Sequence, residues 1–313
     1  MLDRSLLVLL VLPAALLLGC PTSDGGQGDD DDDTGPTVTP DPDTNSYVPD
    51  GYRASAPERV IFLGDSITAG VGASAGSLTY PSLLVNNDED VWGDYADTDL
   101  RGLFGDMEVV DVSVGGATTD SVLSEQLPDL SSALGASVSG ESLVVITVGG
   151  NDMQANMLQI LTGGDGVAAQ VIDGVVDNMN EFVDYFDDAD RFPDGVFVYL
   201  SNVYEPTDSF GQVDQCLFGL DIGPIMHNFD QANDAIRGVA EDRGIGMVDL
   251  RGHFMGHGWY NEDTELPWHH PEDPTRWFDD DCIHPNDRGH HELRRLFHAA
   301  IDGVPLPAEP QPE

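Results

Sequence analysis

The chain has no lysine. Its 12 basic residues are all arginine, set among 313 residues against 57 Asp and Glu, for a formal charge of −45 at pH 7. A surface so acidic repels nucleic-acid phosphates and anionic headgroups, which excludes nucleic acid as a partner. Cysteine is scarce, with only Cys20, Cys216 and Cys282, so the chain is no disulfide-dense mini-protein. The 35 Gly and 20 Pro lack a triplet period, which excludes collagen. Past the N-terminus no apolar run is long enough to cross a bilayer, which excludes a polytopic membrane protein. What remains is 40% apolar residues, enough to bury the core of one large domain or two small ones.

The N-terminal segment reads as an address. Arg4 and the terminal amine precede the apolar run Leu6 to Leu18, an h-region too short to span a membrane comfortably. It ends in Leu17-Leu18-Gly19-Cys20, which resembles the bacterial lipobox, with Leu18 bulkier than usual. The resemblance implies cleavage after residue 19 and lipidation of Cys20, hence an exported protein held at the cell envelope by lipid chains alone. The alternative is an ordinary secretory signal. Residues 20–55, with an unbroken acidic run from Asp29 to Asp33 and almost no large apolar residue, read as a solvated linker. A run of acids in a flexible chain supplies charge without the fixed geometry a calcium site needs. The folded domain is expected over 56–306, with 307–313 as a tail.

Short β-branched runs then alternate with longer amphipathic stretches. Val60-Ile61-Phe62-Leu63, Val109-Val110-Asp111-Val112, Leu143-Val144-Val145-Ile146, Val196-Phe197-Val198-Tyr199 and Met247-Val248 read as strands buried on both faces. Helices are clearest at 167–187, 224–243 and 286–301, and 71–107 and 251–280 read as irregular insertions. The alternation predicts a three-layer α/β/α sandwich on a parallel sheet of about five strands. Its site belongs at the C-terminal ends of the strands.

Four polar clusters fall at those ends. They are Gly64-Asp65-Ser66-Ile67, Val114-Gly115-Gly116-Ala117, Gly149-Gly150-Asn151-Asp152 and Asp281-Cys282-Ile283-His284. In this order they resemble the SGNH, or GDSL-type, hydrolase superfamily over about 58–302, with Ile67 where the name-giving motif has Leu. No Gly-x-Ser-x-Gly elbow is present, which argues against an α/β-hydrolase. The resemblance implies a flavodoxin-like fold and a serine ester hydrolase needing neither metal nor cofactor. The substrate would be a small-molecule, glycan or lipid ester, and a monomer is expected.

Acyl-transfer chemistry explains the residue types. Ser66, at a strand-to-helix turn, needs a base to become a nucleophile, and His284 supplies one near neutral pH. Asp281, three residues earlier, can orient that imidazole. The resemblance assigns the oxyanion donors to the Ser66 and Gly116 N–H groups and the Asn151 amide, with glycine at 116 for close approach. Asp65 and Asp152 read as structural, and Ser66 as a mere helix cap is the alternative. Asp279 and Asp280 lack the triad spacing, and His290 and His291 fall on the last helix in surface or packing roles. His253, His257, His269 and His270 lie in a Gly-rich stretch without a convincing zinc ligand set. Trp259, Tyr260, Trp268, Trp277 and Phe278 suit either sugar stacking, an acyl groove or core packing. With Cys20 lipidated, Cys216 and Cys282 form an even pair expected to bridge, two free thiols being the alternative. Against the esterase stands a non-catalytic glycan- or matrix-binding module, which need not keep Ser66, Gly116, Asn151, Asp281 and His284 together.

Overall fold

A computed structural model describes residues 46–96, 98–212 and 220–304. Five strands, β1 (Arg59–Gly64), β2 (Glu108–Asp111), β3 (Ser142–Thr147), β4 (Val196–Ser201) and β5 (Gly246–Val248), form one sheet in the order β2-β1-β3-β4-β5. Every pairing is parallel, with Phe62 opposite Asp111 on one side and Val145 on the other. The order reverses between β1 and β3, which opens a crevice at their C-terminal ends.

Among the described residues nine helices join these strands. The first four are α1 (Tyr80–Val85), α2 (Leu100–Phe104), α3 (Thr119–Ser121) and α4 (Leu127–Leu134). The others are α5 (Gly150–Gly163), α6 (Asp165–Phe186), α7 (Met226–Arg243), α8 (Leu250–Phe254) and α9 (Asp287–Asp302).

The continuous apolar runs arise because successive side chains enter two cores. Val60, Phe62, Leu143, Val145 and Tyr199 meet Tyr80, Leu293 and Phe297 on the α1/α9 face. Ile61, Leu63, Val144, Ile146 and Val198 meet Leu130, Val175, Phe182 and Ile236 from α4, α6 and α7 on the other. Each fully buried aliphatic or Phe contributes roughly 1.5–3 kcal/mol relative to exposure. The expected α/β/α sandwich is the observed fold, and the three expected helices appear as Asp165–Phe186, Met226–Arg243 and Asp287–Asp302.

Two features differ from expectation. β2 is not buried on both faces: it is the edge strand, and Glu108, Val109 and Asp111 are exposed. An apolar run alone does not distinguish edge from centre, which pairing order decides. Residues 46–55, placed in the linker by composition, pack on the domain instead. Tyr47 pairs antiparallel with Met247, Ala54 is buried, and the Tyr52 hydroxyl accepts from the Val198 N–H at 2.7 Å. The acidic run itself and Cys20 lie outside the described residues.

Between α3 and α4 the helix widens into a π turn over Val122–Gln126, where the Leu127 N–H donates to the Val122 carbonyl. The widening accompanies a buried Gln126 whose amide reads the backbone of β1 in both directions. Its Oε1 accepts from the Gly64 N–H and its Nε2 donates to the Gly64 carbonyl, both at 2.8 Å. Gln126→Ala should strand the Gly64 N–H in the interior and cost about 1–3 kcal/mol. Urea unfolding followed by circular dichroism measures this, and an unchanged midpoint would show that the clamp is idle.

Candidate active site

The site begins where β1 ends. Gly64 has φ +121° and lies so close to β3 that a Cβ there would sit 2.0 Å from the Thr147 carbonyl oxygen. The Asp65 N–H continues the pairing to that same oxygen at 3.0 Å. The Asp65 carboxylate then accepts from the Ile67 N–H at 3.0 Å and the Thr147 hydroxyl at 3.1 Å. This side-chain turn lifts Ser66 out of the sheet plane and leaves it half-buried at the crevice.

No helix follows Ser66 directly. The chain makes one closed turn, with Ala69 N–H on the Asp65 carbonyl and Val71 N–H on the Ser66 carbonyl, and α1 starts only at Tyr80. The strand-to-helix turn expected for Ser66 is therefore absent.

The catalytic-loop candidate is closed by an antiparallel bridge between Phe278 and Pro285. Within it the Asp281 Oδ1 accepts from the Ile283 N–H at 3.0 Å and the His284 N–H at 2.9 Å, while Oδ2 meets the His284 Nδ1. Burial pushes the Asp281 carboxyl up, but these hydrogen bonds from His284 and Ile283 outweigh it and hold the group below its usual range. The other imidazole nitrogen, Nε2, lies 2.7 Å from the Ser66 Oγ, across 218 residues of chain. Nδ1–H donating to Asp281 leaves Nε2 free to accept the serine proton.

The segments carrying Gly116 and Asn151 meet beside Ser66. The Asn151 amide, at the start of α5, donates to the Ala117 carbonyl at 2.9 Å and so lies against the 115–117 turn. Among the described residues neither the Ser66 nor the Gly116 backbone N–H has an acceptor. Gly116 has φ +82°, a left-handed backbone that favours glycine, and a Cβ there would meet nothing within 4 Å. A Cβ on Gly115 would make only an ordinary contact, 3.9 Å from the Ser66 Cβ. Asp152 ties the two segments together, accepting from the Thr119 hydroxyl at 2.7 Å and its N–H at 3.1 Å.

The remaining candidates take other places. Asp280 is ion-paired to Arg276 at 2.6 Å, away from the imidazole. His290 is wholly buried, accepting from the Tyr80 N–H at Nδ1 and donating from Nε2 to the Val71 carbonyl. Burial pushes its pKa down to about 4, so it stays neutral. His291 stacks on Trp92, with ring centroids 3.7 Å apart. His253 bonds Glu292, His257 the Thr275 carbonyl, His269 the Asn261 carbonyl and His270 the Met255 carbonyl. Among the described residues no group of three His, Cys, Asp or Glu is arranged to hold a metal. Trp277 and Phe278 are core residues with no exposed surface, whereas Trp259 is half-buried beneath the Arg276 guanidinium. Cys282 is buried with φ +68°, while Cys216 lies outside the described residues.

The model of the GDSL-like lipase/acylhydrolase family matches residues 62–292. The chain belongs to this family. It is an ester-bond hydrolase with the SGNH fold. No curated protein matches the chain. Solved structures similar to it include a variant of Axe2, an acetyl xylan esterase from Geobacillus stearothermophilus. That structure has 17% identity and a TM-score of 0.51, over 81% of this chain and 99% of that one. The acetyl xylan esterase AlAXEase has 19% identity and a TM-score of 0.50, over 78% and 99%. An extracellular lipase from Streptomyces rimosus has 20% identity and a TM-score of 0.49, over 79% and 99%.

Two supports of this hydrolase were not singled out in the sequence. Gln126 carries no local signal, because its partner is the backbone of a strand 62 residues away. Tyr204, at the end of β4, donates its buried hydroxyl to the Ile283 carbonyl at 2.8 Å, and its position at a strand end was the available clue.

Complete burial raises the Asp65 carboxyl from 3.8 to about 6, although bonds from Ile67 and Thr147 and the field of His284 oppose it. The folded state therefore holds an extra proton between about pH 4 and pH 6. Stability from this group is largest below the unfolded value and is lost as pH rises through about 6. Asp65→Asn keeps an acceptor for Ile67 without the charge. It should raise stability by about 1–3 kcal/mol at pH 8 and progressively less towards pH 4. Denaturation of both proteins across that range checks it, and a pH-independent difference would refute it.

Proposed function

We propose that this esterase works by covalent catalysis on Ser66, with His284 as general base and acid and Asp281 as its orienting partner. The observation that carries the reading is the Ser66 Oγ within 2.7 Å of the His284 Nε2, whose other nitrogen faces a bound carboxylate. His284 takes the hydroxyl proton as Ser66 Oγ attacks the ester carbonyl carbon. The tetrahedral oxyanion collapses, the C–O bond to the alcohol breaks, and His284 returns the proton to the leaving alkoxide. Water then gives a proton to His284 and attacks the acyl-enzyme. Collapse releases the carboxylic acid and restores the Ser66 hydroxyl.

Charge develops on the carbonyl oxygen in both halves of the reaction, so stationary donors lower both barriers. The unengaged Ser66 and Gly116 N–H groups and the Asn151 amide are suited to this. A binding module would have no use for a base aligned on an aligned serine. The substrates in this reading are small-molecule or glycan esters.

The protein is exported and held at the envelope by lipid on Cys20, with the acidic segment as spacer; the lipobox-like Leu17-Leu18-Gly19-Cys20 supports this. Cys216 pairs with Cys282, whose sulfur is one end of a disulfide, and the bridge braces the loop that carries Asp281 and His284.

Ser66→Ala should abolish turnover and labelling by a serine-directed phosphonate, and His284→Gln should cost nearly as much because the two act as a unit. Asn151→Ala should lower kcat about 10²–10³-fold with little change in KM. Steady-state kinetics on one soluble ester test these, and a folded Ser66→Ala protein with near-normal kcat would overturn the reading. Expressed in a bacterium, the full-length protein should partition with membranes and Cys20→Ser should not. Recovery of the wild type free in the medium would exclude the anchor.

A further inference from the structure

Beside Ser66 the surface opens into a cavity of about 100 Å³ that passes between α5, the loop after β4 and the start of α7. Ile67 and Ile283, which follow Ser66 and precede His284, line it, as do Met157 of α5, Phe229 of α7 and Ile222 from the segment before α7. Those three belong to an apolar cluster with Met153 and Ile160, while Thr147 and Ser201 line the cavity from the ends of β3 and β4. Several of its polar neighbours are occupied among themselves. The Thr207 hydroxyl donates to Glu205, and the Asn202 amide donates to Asp249 and accepts from the Arg251 N–H. Most of the surface offered to a ligand is therefore hydrocarbon, with Gln154 and Ser201 as further polar residues in the lining.

We propose that this cavity is the acyl pocket, sized for a straight, unsubstituted acyl group of about four carbons, and that Phe229, Ile222 and Met157 set the length limit. The inference rests on the reading of Ser66 as nucleophile and adds the class of acid it accepts. A volume of about 100 Å³ is smaller than the ~150 Å³ cavity that admits benzene. It takes a propyl tail, refuses an aromatic acyl group, and is largely unfilled by the methyl of an acetate. Because the pocket is apolar, each methylene that enters it should raise kcat/KM about fourfold, the transfer free energy of one buried CH₂. Once the end wall is reached, further carbons must stay in water or force the wall to move, so the trend reverses.

The test is kcat/KM of the full-length protein on p-nitrophenyl acetate, propanoate, butanoate, hexanoate and octanoate, below their micelle concentrations. A rise of about fourfold per carbon to butanoate, then at least a tenfold fall by octanoate, is expected. Phe229→Ala should raise the octanoate-to-butanoate ratio at least tenfold, and Met157→Phe should lower the butanoate-to-acetate ratio. A flat wild-type profile, a maximum at acetate, or an unbroken rise to octanoate overturns the inference, as do unchanged ratios in folded variants. Should Phe229→Ala fail to fold, the wild-type profile and Met157→Phe decide. Ser66→Ala runs alongside on butanoate. If it is inactive, a failed profile counts against the pocket alone; if it retains activity, the reading beneath it falls.

Discussion

The contact between Gly64 and Thr147 is the constraint on which the site is built. The C-terminal ends of β1 and β3 approach so closely that no side chain fits at position 64, and three further interactions hold them there. Gln126 binds both polar groups of Gly64, the Asp65 N–H takes the Thr147 carbonyl, and the Thr147 hydroxyl binds the Asp65 carboxylate. Ser66 and Asn151 follow these two strand ends at once, on opposite sides of the topological switch. Their separation is thus set by rigid strands, and the cost includes a buried carboxyl that prefers its proton up to about pH 6. Such strain near a nucleophile stabilises geometry at the expense of the domain.

His284 arrives from the other end of the chain, and α9 follows it directly. Asn286 caps this helix by accepting from the Gly289 N–H at 3.0 Å, directly after the loop that carries Asp281 and His284. Asp287 binds the Ser74 N–H and hydroxyl, and His290 joins Tyr80 to Val71, so the segment after Ser66 is fastened to the segment after His284. In a chain with 57 acids and only 12 arginines, three of those arginines lie on α9. Arg288 and Arg295 flank the buried Glu292, which His253 also contacts, and Arg294 reaches the Thr98 carbonyl and the Asn87 side chain. Burial works against the Glu292 charge, yet His253 and the two guanidinium groups hold the carboxyl far below its usual range. A buried network of this kind adds little net stability over an apolar core, but breaking it by halves is costly. It favours a single seat for the helix that places the imidazole.

The sequence was most legible where function and chain order coincide. Asp281 and His284 are three residues apart, and both N–H groups that bind Asp281 lie between or on them, so spacing alone announces their partnership. The strands were legible because alternate residues of Val60 to Leu63 enter two different cores, leaving no polar position. The same logic misplaced β2, since Val109 and Val110 have the composition of a buried strand and the pairing order of an edge. Composition also misplaced residues 46–55, where Tyr47 and Tyr52 act as anchors within an otherwise polar stretch. Gly116 was found by its motif, and its left-handed backbone is a further reason for glycine that the motif did not state.

By itself the sequence determined the chemistry on offer: a serine after the first strand, an amide after the third, and an aspartate and histidine sharing one loop. Those are local facts, set by residue type and short spacing. It also determined a two-faced parallel sheet, because hydrophobic burial depends on periodicity within a few residues. Tertiary structure alone decided which groups meet. Ser66 and His284 are 218 residues apart, and Gln126, Tyr204 and the Phe229 side of the cavity act through partners in other elements. No spacing rule reaches across such separations, because the path between them is the packing of the sheet and its helices, and a cavity is what that packing leaves unfilled.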